Sequence, residues 1–201
     1  YTGETHIFSN FPSYNSGRYT IANNNRGSFI NEAELDDNRH VLYTNSSSGG
    51  TNRISRYINV NIQSIMSASD LTNALLNARP TAFKINPHST NGTPPTSTAT
   101  LLVGLANGRL LKLTNADNVP VWSNIGFNGF VGSISDIEFG QNENEIFVTM
   151  FNYGVNSVWY TSNGGTSWQN KEGNLPDMPV KCILQNPLIP QEVIIGTELG
   201  V

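Results

Sequence analysis

The groups able to do chemistry in this chain are 15 Asp and Glu residues, three His, one Cys and a few clustered aromatic residues. Acid–base cleavage of a glycosidic bond needs two carboxylates facing each other across a cleft, one as acid and one as base. Asp136, in the stretch SISDIEF, is the first acid to consider, because it adjoins an apolar, alternating segment. Glu198 in TELG and the pair Asp36-Asp37 read as turn residues. His6, His40 and His88 are too dispersed to form a metal centre, and Cys182 is alone, so no metal or other cofactor is expected. In the apolar setting VKCIL, Cys182 reads as a small buried residue. Gly49-Gly50 and Gly164-Gly165 read as turn glycines, since no helix follows them to receive a phosphate. Tyr153, Trp159 and Tyr160 suggest a stacking platform for a sugar. Trp159 and Tyr160 alternate within one strand, however, so at least one of them is expected to pack inside.

Composition narrows the elements that hold these groups. Charged residues make up 13% of the chain, well below the usual share, while Asn, Ser, Thr and Gly are abundant. That balance suits short strands joined by polar turns. The 37% apolar content is enough for a core. A net charge of -4 with no basic cluster argues against a nucleic-acid partner. No apolar run is long enough to span a membrane. The surface composition leans extracellular, and Asn45-Ser46-Ser47 and Asn91-Gly92-Thr93 fit the N-glycosylation sequon. The chain starts at Tyr1, without a Met or a signal peptide, which reads as a processed product or a piece of something longer.

The chain repeats itself. Trp122 and Trp168 are 46 residues apart, and so are Ile137 and Ile183 and the apolar pair Ile134 and Val180. Around this register a first strand recurs as TAFKIN, SDIEFG and KCILQN, and a second as VLYT, LLVG, IFVT and VIIG. A third recurs as RLLKLT and SVWYT, and the fourth contains the Trp. Four short strands in about 46 residues is the period of a propeller blade. The expected fold is therefore all-β, a β-propeller of four-stranded antiparallel blades within one domain spanning 1–201. A divergent blade falls at about 29–66, further blades at about 81–125 and 131–172, and a partial blade at about 178–201. That makes three to four blades and an incomplete ring, so the remaining blades or further domains of a longer chain are expected partners. The segment 88–98 reads as an irregular loop. Over Ser67–Ala78, the spacing of Leu71, Ala74, Leu75 and Ala78 before Pro80 predicts one short inserted helix. Asp136 then falls at the channel end of a first strand, where Lys181 and Ala82 stand near its repeat equivalents.

The turn before the second Trp has its own logic. In TSNGGTSW, from Thr161 to Trp168, the short side chain of Asn163 can accept N–H bonds inside the turn. Gly164 and Gly165 permit positive φ, and Trp168 returns to the sheet as a large buried ring. This segment resembles the Asp-box of BNR repeats, S-x-D-x-G-x-T-W, with Thr161, Asn163, Gly165, Ser167 and Trp168 in the motif positions. NADNVPVW, at the equivalent place, keeps Asp117 and Trp122. The stretch NLPDMPVKCILQNPLIPQEVIIGTELGV, over 174–201, resembles the blade junctions of sortilin-type (VPS10-like) propellers, notably those of type IX-secreted bacterial surface proteins. The likeness is good over 81–201 and loose over 29–62.

That resemblance implies a secreted or cell-surface propeller that binds glycan or protein, or acts as a scaffold, without catalysis in this segment. The alternative it implies is a glycoside hydrolase, xyloglucanase-like rather than sialidase. Sialidases resemble one another in an F/Y-R-I-P segment absent here, of which Arg53-Ile54-Ser55 is only a partial echo.

Overall fold

The computed structural model describes residues 4–8, 18–22, 25–90 and 98–201. Strands β1 (Glu4–Phe8) and β2 (Arg18–Ala22) form an antiparallel hairpin. The first four-stranded sheet contains β3 (Ala33–Asp36), β4 (Val41–Asn45), β5 (Ile54–Ile58) and β6 (Ser67–Leu71). The second contains β7 (Pro80–Ile85), β8 (Thr100–Leu105), β9 (Leu110–Thr114) and β10 (Val121–Asn124). In the third are β11 (Ile134–Phe139), β12 (Ile146–Met150), β13 (Val158–Thr161) and β14 (Gln169–Asn170). Strands β15 (Val180–Gln185) and β16 (Val193–Thr197) pair as a two-stranded sheet. Neighbouring strands are antiparallel and follow sequence order. Helix among the described residues is limited to 3-10 turns at Gln63–Ile65 and Pro87–Thr90. The chain is all-β, a succession of four-stranded antiparallel sheets that fits an incomplete propeller.

Strand alternation explains how the sheets stack. Strands β4 and β12 are buried along their whole length, because both faces of a central strand are covered. Along β8, Leu101 and Val103 enter the core shared with the first sheet, where Tyr43, Ile54 and Phe83 meet them. Leu102 points the other way, into a core with Ile137, Val148 and Met150 of the third sheet. Phe147 and Val158 continue the pattern toward Val180 and Ile183. Trp122 packs at the margin of the first of these cores and Trp168 at the margin of the second, so each faces the preceding sheet. Their ladder positions agree: Trp122 pairs with Leu113, and Trp168 directly precedes Gln169, which pairs with Tyr160.

Several expectations are corrected. Ser67–Ala78 is not a helix. Its first half is β6, held to β5 by Ser55 Oγ donating to Asp70 Oδ1 at 3.0 Å and Arg56 Nε donating to Ser69 Oγ at 3.2 Å. Asn73 then makes a tight turn, its side chain accepting the Leu75 N–H, which brings Leu71 and Leu76 into the same core. The first sheet is also one residue out of the repeat register read from VLYT and LLVG. Val41 and Tyr43 face the second sheet, whereas Leu101 and Val103 face the first. Cys182 is exposed, on the outward side of β15. Asn45 is 2% exposed and its amide donates to Ser28 and Asn31, so this sequon is closed to modification. The second sequon, at Asn91, and most of the 88–98 loop lie outside the described residues.

The first strands β7, β11 and β15 carry a bulge at the same place. Ladder pairing skips Thr81, Ser135 and Lys181 in turn. A bulge re-aims its side chain, and here it aims at the next sheet. Thr81 Oγ1 donates to the Ile134 carbonyl at 2.7 Å, and Ser135 Oγ to the Val180 carbonyl at 2.5 Å. The fully buried Thr149 hydroxyl lies 2.8 Å from Ser135 Oγ. Ser135→Ala should therefore strand two polar groups and cost about 1–3 kcal/mol in urea unfolding. A loss below about 0.5 kcal/mol would show that these links do not hold the sheets together.

Candidate functional site

All first strands run in the same direction, and they carry a row of half-buried charge. Glu34 pairs with Tyr43, Lys84 with Leu102 and Glu138 with Phe147, each on the side that faces the following sheet. Glu34 Oε1 accepts the Ile85 N–H at 2.9 Å, across a sheet boundary. Lys84 Nζ lies 2.6 Å from Glu138 Oε2 across the next boundary. Asp136 does the same work one step along. Its Oδ1 accepts the Ile137 N–H at 2.8 Å and its Oδ2 the Ile183 N–H at 2.9 Å.

Burial sets the protonation of this row. It pushes the Asp136 carboxyl above its usual range, although the Ile183 and Ile137 N–H groups and the Lys84 charge oppose the shift. Glu34 moves up for the same first cause, against the Ile85 N–H and Lys84, with repulsion from Asp136 and Glu138 adding to it. Glu32 also rises by burial, helped by the Asp136 charge. For Lys84, burial acts downward, but the hydrogen bond to Glu138 and the surrounding carboxylates win, and its affinity for a proton increases. Sequence reading singled out Asp136. The structure shows both of its oxygens engaged with backbone N–H groups, an arrangement that ties sheets. The partners Glu34, Lys84 and Glu138 were missed; the charged residue in the same place in TAFKIN and SDIEFG was the available signal.

The 161–168 turn is built as its residue types suggest. Thr161 Oγ1 accepts N–H bonds from Asn163 and Gly165, both at 3.2 Å. Asn163 Oδ1 accepts the Ser167 N–H at 2.9 Å, and its amide donates to Ser167 Oγ at 2.9 Å. Gly165 has φ of 91°, and a Cβ there would come within 2.8 Å of Ile125. Trp168 Nε1 donates to the Ile125 carbonyl at 2.9 Å, and its ring meets Phe130 edge-on at 4.9 Å. Asp117 works differently: it accepts the Ala99 N–H at 2.9 Å at the start of β8, outside its own turn.

The three aromatics do not form one platform. Trp159 is 6% exposed, its Nε1 bonded to the Asn156 carbonyl and its ring packed on Phe127 and Phe130. This corrects its assignment to a stacking surface. Tyr160 points to the opposite face, 4.9 Å from Phe147 and beneath the Lys171 ammonium. Tyr153 alone stands free as a ring, 61% exposed, its hydroxyl donating to Glu198 Oε2.

Tyr153 belongs to a loop face. In an antiparallel meander, the links between second and third strands share one end with the links from each fourth strand to the next sheet. Residues 125–133, 151–157 and 171–179 therefore gather together. They enclose a cleft of about 470 Å³ lined by Val131, Val155, Asn156, Glu172 and Asp177 among others. Val131 in its lining is exposed, as is Phe151 at the start of the 151–157 link. Asp177 Oδ1 accepts the Gly154 N–H and Glu172 Oε2 the Ser157 N–H, both at 2.6 Å, which leaves one oxygen of each for other partners. Among the described residues no three His, Cys, Asp or Glu side chains converge as metal ligands would.

No family model matches the chain, and no curated protein does. Among solved structures, the chain is similar to a GH74 xyloglucanase from Xanthomonas campestris, with a TM-score of 0.48 and 14% identity. The match covers 71% of this chain and 23% of the enzyme, so the chain spans about a quarter of that protein's length.

The raised Asp136 pKa has a testable sign. A carboxyl raised on folding stabilises the fold below its ordinary pKa, and that contribution is lost as pH climbs through the folded value. Asp136→Asn removes it. The gap in unfolding free energy between wild type and Asp136→Asn should therefore narrow as pH rises above the ordinary aspartate range. A gap that widens would mean that the two N–H bonds outweigh burial.

Proposed function

We propose that the chain is part of an Asp-box (BNR-type), sortilin-like propeller of a secreted or cell-surface protein. In this reading its loop face binds a glycan or protein and does no catalysis in this segment. The observation that carries the binding role is the loop-face cleft lined by Val131, Glu172 and Asp177, with Phe151 and Tyr153 exposed on the link that carries its Gly154, Val155 and Asn156. Concave sites with apolar walls and a few placed polar groups are where ligands settle. A flat aromatic face suits the C–H face of a sugar, and free carboxylate oxygens suit its hydroxyls. Support for the Asp-box assignment comes from the 161–168 turn, where Thr161, Asn163 and Gly165 satisfy the turn and deliver Trp168 to the preceding sheet. Further blades in a longer chain, or in a neighbouring one, belong to the same proposal.

The alternative is a glycoside hydrolase. Glu172 and Asp177 favour it, as two carboxylates lining one cleft. Calorimetric titration with neutral oligosaccharides, paired with an assay for new reducing ends, separates the two readings. Binding without hydrolysis, weakened about tenfold in Tyr153→Ala (about 1.4 kcal/mol), is the expected result. Reducing ends lost in Glu172→Gln would establish the enzyme instead. No binding at millimolar sugar would remove the glycan and leave the protein ligand.

A further inference from the structure

Two clefts on the loop face share a wall and carry opposite charge. The larger, of about 470 Å³, is the one between the 151–157 and 171–179 links. A smaller one, of about 210 Å³, occupies the same place one sheet back, between residues 107–109 and 124–130. The segment 128–131 divides them. Asn128 and Phe130 line the smaller cleft, Gly129 and Val131 the larger. Both are lined by residues 107–177 alone, from the second and third sheets and the links that leave them.

The charges in these clefts are not neutralised from within. In the larger, Glu172 and Asp177 each keep one oxygen beyond the backbone N–H bonds to Ser157 and Gly154. Lys171, next to Glu172 in the chain, lies over the Tyr160 ring instead. In the smaller, the charge is the Arg109 guanidinium. No ion pair among the described residues includes Arg109, Glu172 or Asp177. The walls differ as well. Val131, Val155 and Leu175 line the acidic cleft, whereas Asn107, Asn124 and Asn128 surround Arg109.

Apolar walls that end at carboxylates suit a long aliphatic stem with a cation at its tip. Lys and Arg side chains have that form, laying their methylenes on apolar surface while the head keeps its charge partner. A guanidinium in a polar hollow suits a carboxylate, which it can meet with two parallel hydrogen bonds. Peptides carry both groups on neighbouring side chains, and a neutral sugar carries neither. We propose that the two clefts together bind an extended peptide segment of a protein partner. A lysine or arginine side chain enters the cleft of Glu172 and Asp177, and an aspartate or glutamate meets Arg109. The opposite charges on either side of the 128–131 wall fix the direction in which the segment lies. This rests on the loop face being the binding face, and it names the chemistry of the protein ligand there.

NMR titration with acetylated, amidated glycine peptides that hold one lysine and one glutamate, a few residues apart, tests this. The expected result is binding at millimolar peptide, with shifts at the Arg109, Val155 and Glu172 amides. Replacing the peptide's glutamate by glutamine, or its lysine by norleucine, should weaken binding about three- to tenfold. Arg109→Gln should weaken the lysine–glutamate peptide by the same factor and leave the lysine–glutamine peptide unchanged. Glu172→Gln with Asp177→Asn keeps acceptors for the Ser157 and Gly154 N–H groups, so the fold should hold while the preference for lysine over norleucine disappears. High salt should erase the same preferences. Equal binding of charged and neutral peptides would overturn the proposal. Binding of neutral oligosaccharides with no binding of any peptide would overturn it and leave the loop face standing as a glycan site. Failure of sugars and peptides alike would remove the loop-face reading as well. Glucosamine oligomers that bind where the peptides do not would put a cationic sugar in the acidic cleft, and the peptide assignment would fall.

Discussion

Everything in this fold depends on one constraint: no sheet can bury both of its faces without a neighbour on each side. The second strand of each sheet is apolar on both sides, so Leu101 and Leu102, adjacent in sequence, belong to different cores. Burying such a side chain fully is worth roughly 1.5–3 kcal/mol, and each junction buries several. Stability is thus a sum over junctions, as expected for repeat architectures. The polar contacts are fewer and act differently. They fix where one sheet sits on the next, through groups that would be costly if left unpaired.

That division explains the charged row on the first strands. At this edge each sheet presents backbone N–H groups with no ladder partner on one side. Glu34 and Asp136 each accept one from the neighbouring sheet, at Ile85 and Ile183. The Thr81 and Ser135 hydroxyls serve the carbonyls in the same way. A carboxylate spent on such a contact is poorly placed to move protons for a substrate, even when burial has raised its pKa. Desolvation and a nearby charge are therefore ambiguous marks of function. Here the hydrogen-bond partners decide the matter in favour of architecture.

What the sequence revealed follows from the same physics. The two Trp positions were legible because they repeat at a spacing of 46 residues, and the 161–168 turn because its Thr, Asn and Gly residues suit a tight turn on their own. The helix expected over 67–78 failed because Leu71 and Leu76 meet one core either along a helix or across a strand and a turn, and apolar spacing alone does not separate the two. The first sheet's register failed because Val41, Leu42 and Tyr43 are consecutive large side chains in a strand buried throughout, so the pattern carries no sign of which face is which. Trp159 is a related case. A strand places neighbouring aromatics on opposite faces, but only the packing of Phe127 and Phe130 shows which of the two is sealed.

The loop face carried almost no signal, and that too has a cause. Residues at the other end of the sheets are constrained by the turns that close them, as Asn163 and Gly165 are, and constraint leaves a motif. The links 125–133, 151–157 and 171–179 only have to span from strand to strand or sheet to sheet. Their side chains are consequently free to vary with a ligand, and no spacing rule exposes them. Val131, Phe151 and Tyr153 stand exposed on a framework whose stability does not require them. In an architecture where cores, bulges and boxed turns consume most of the recognisable chemistry, the segment with the least pattern is the one left available for recognition.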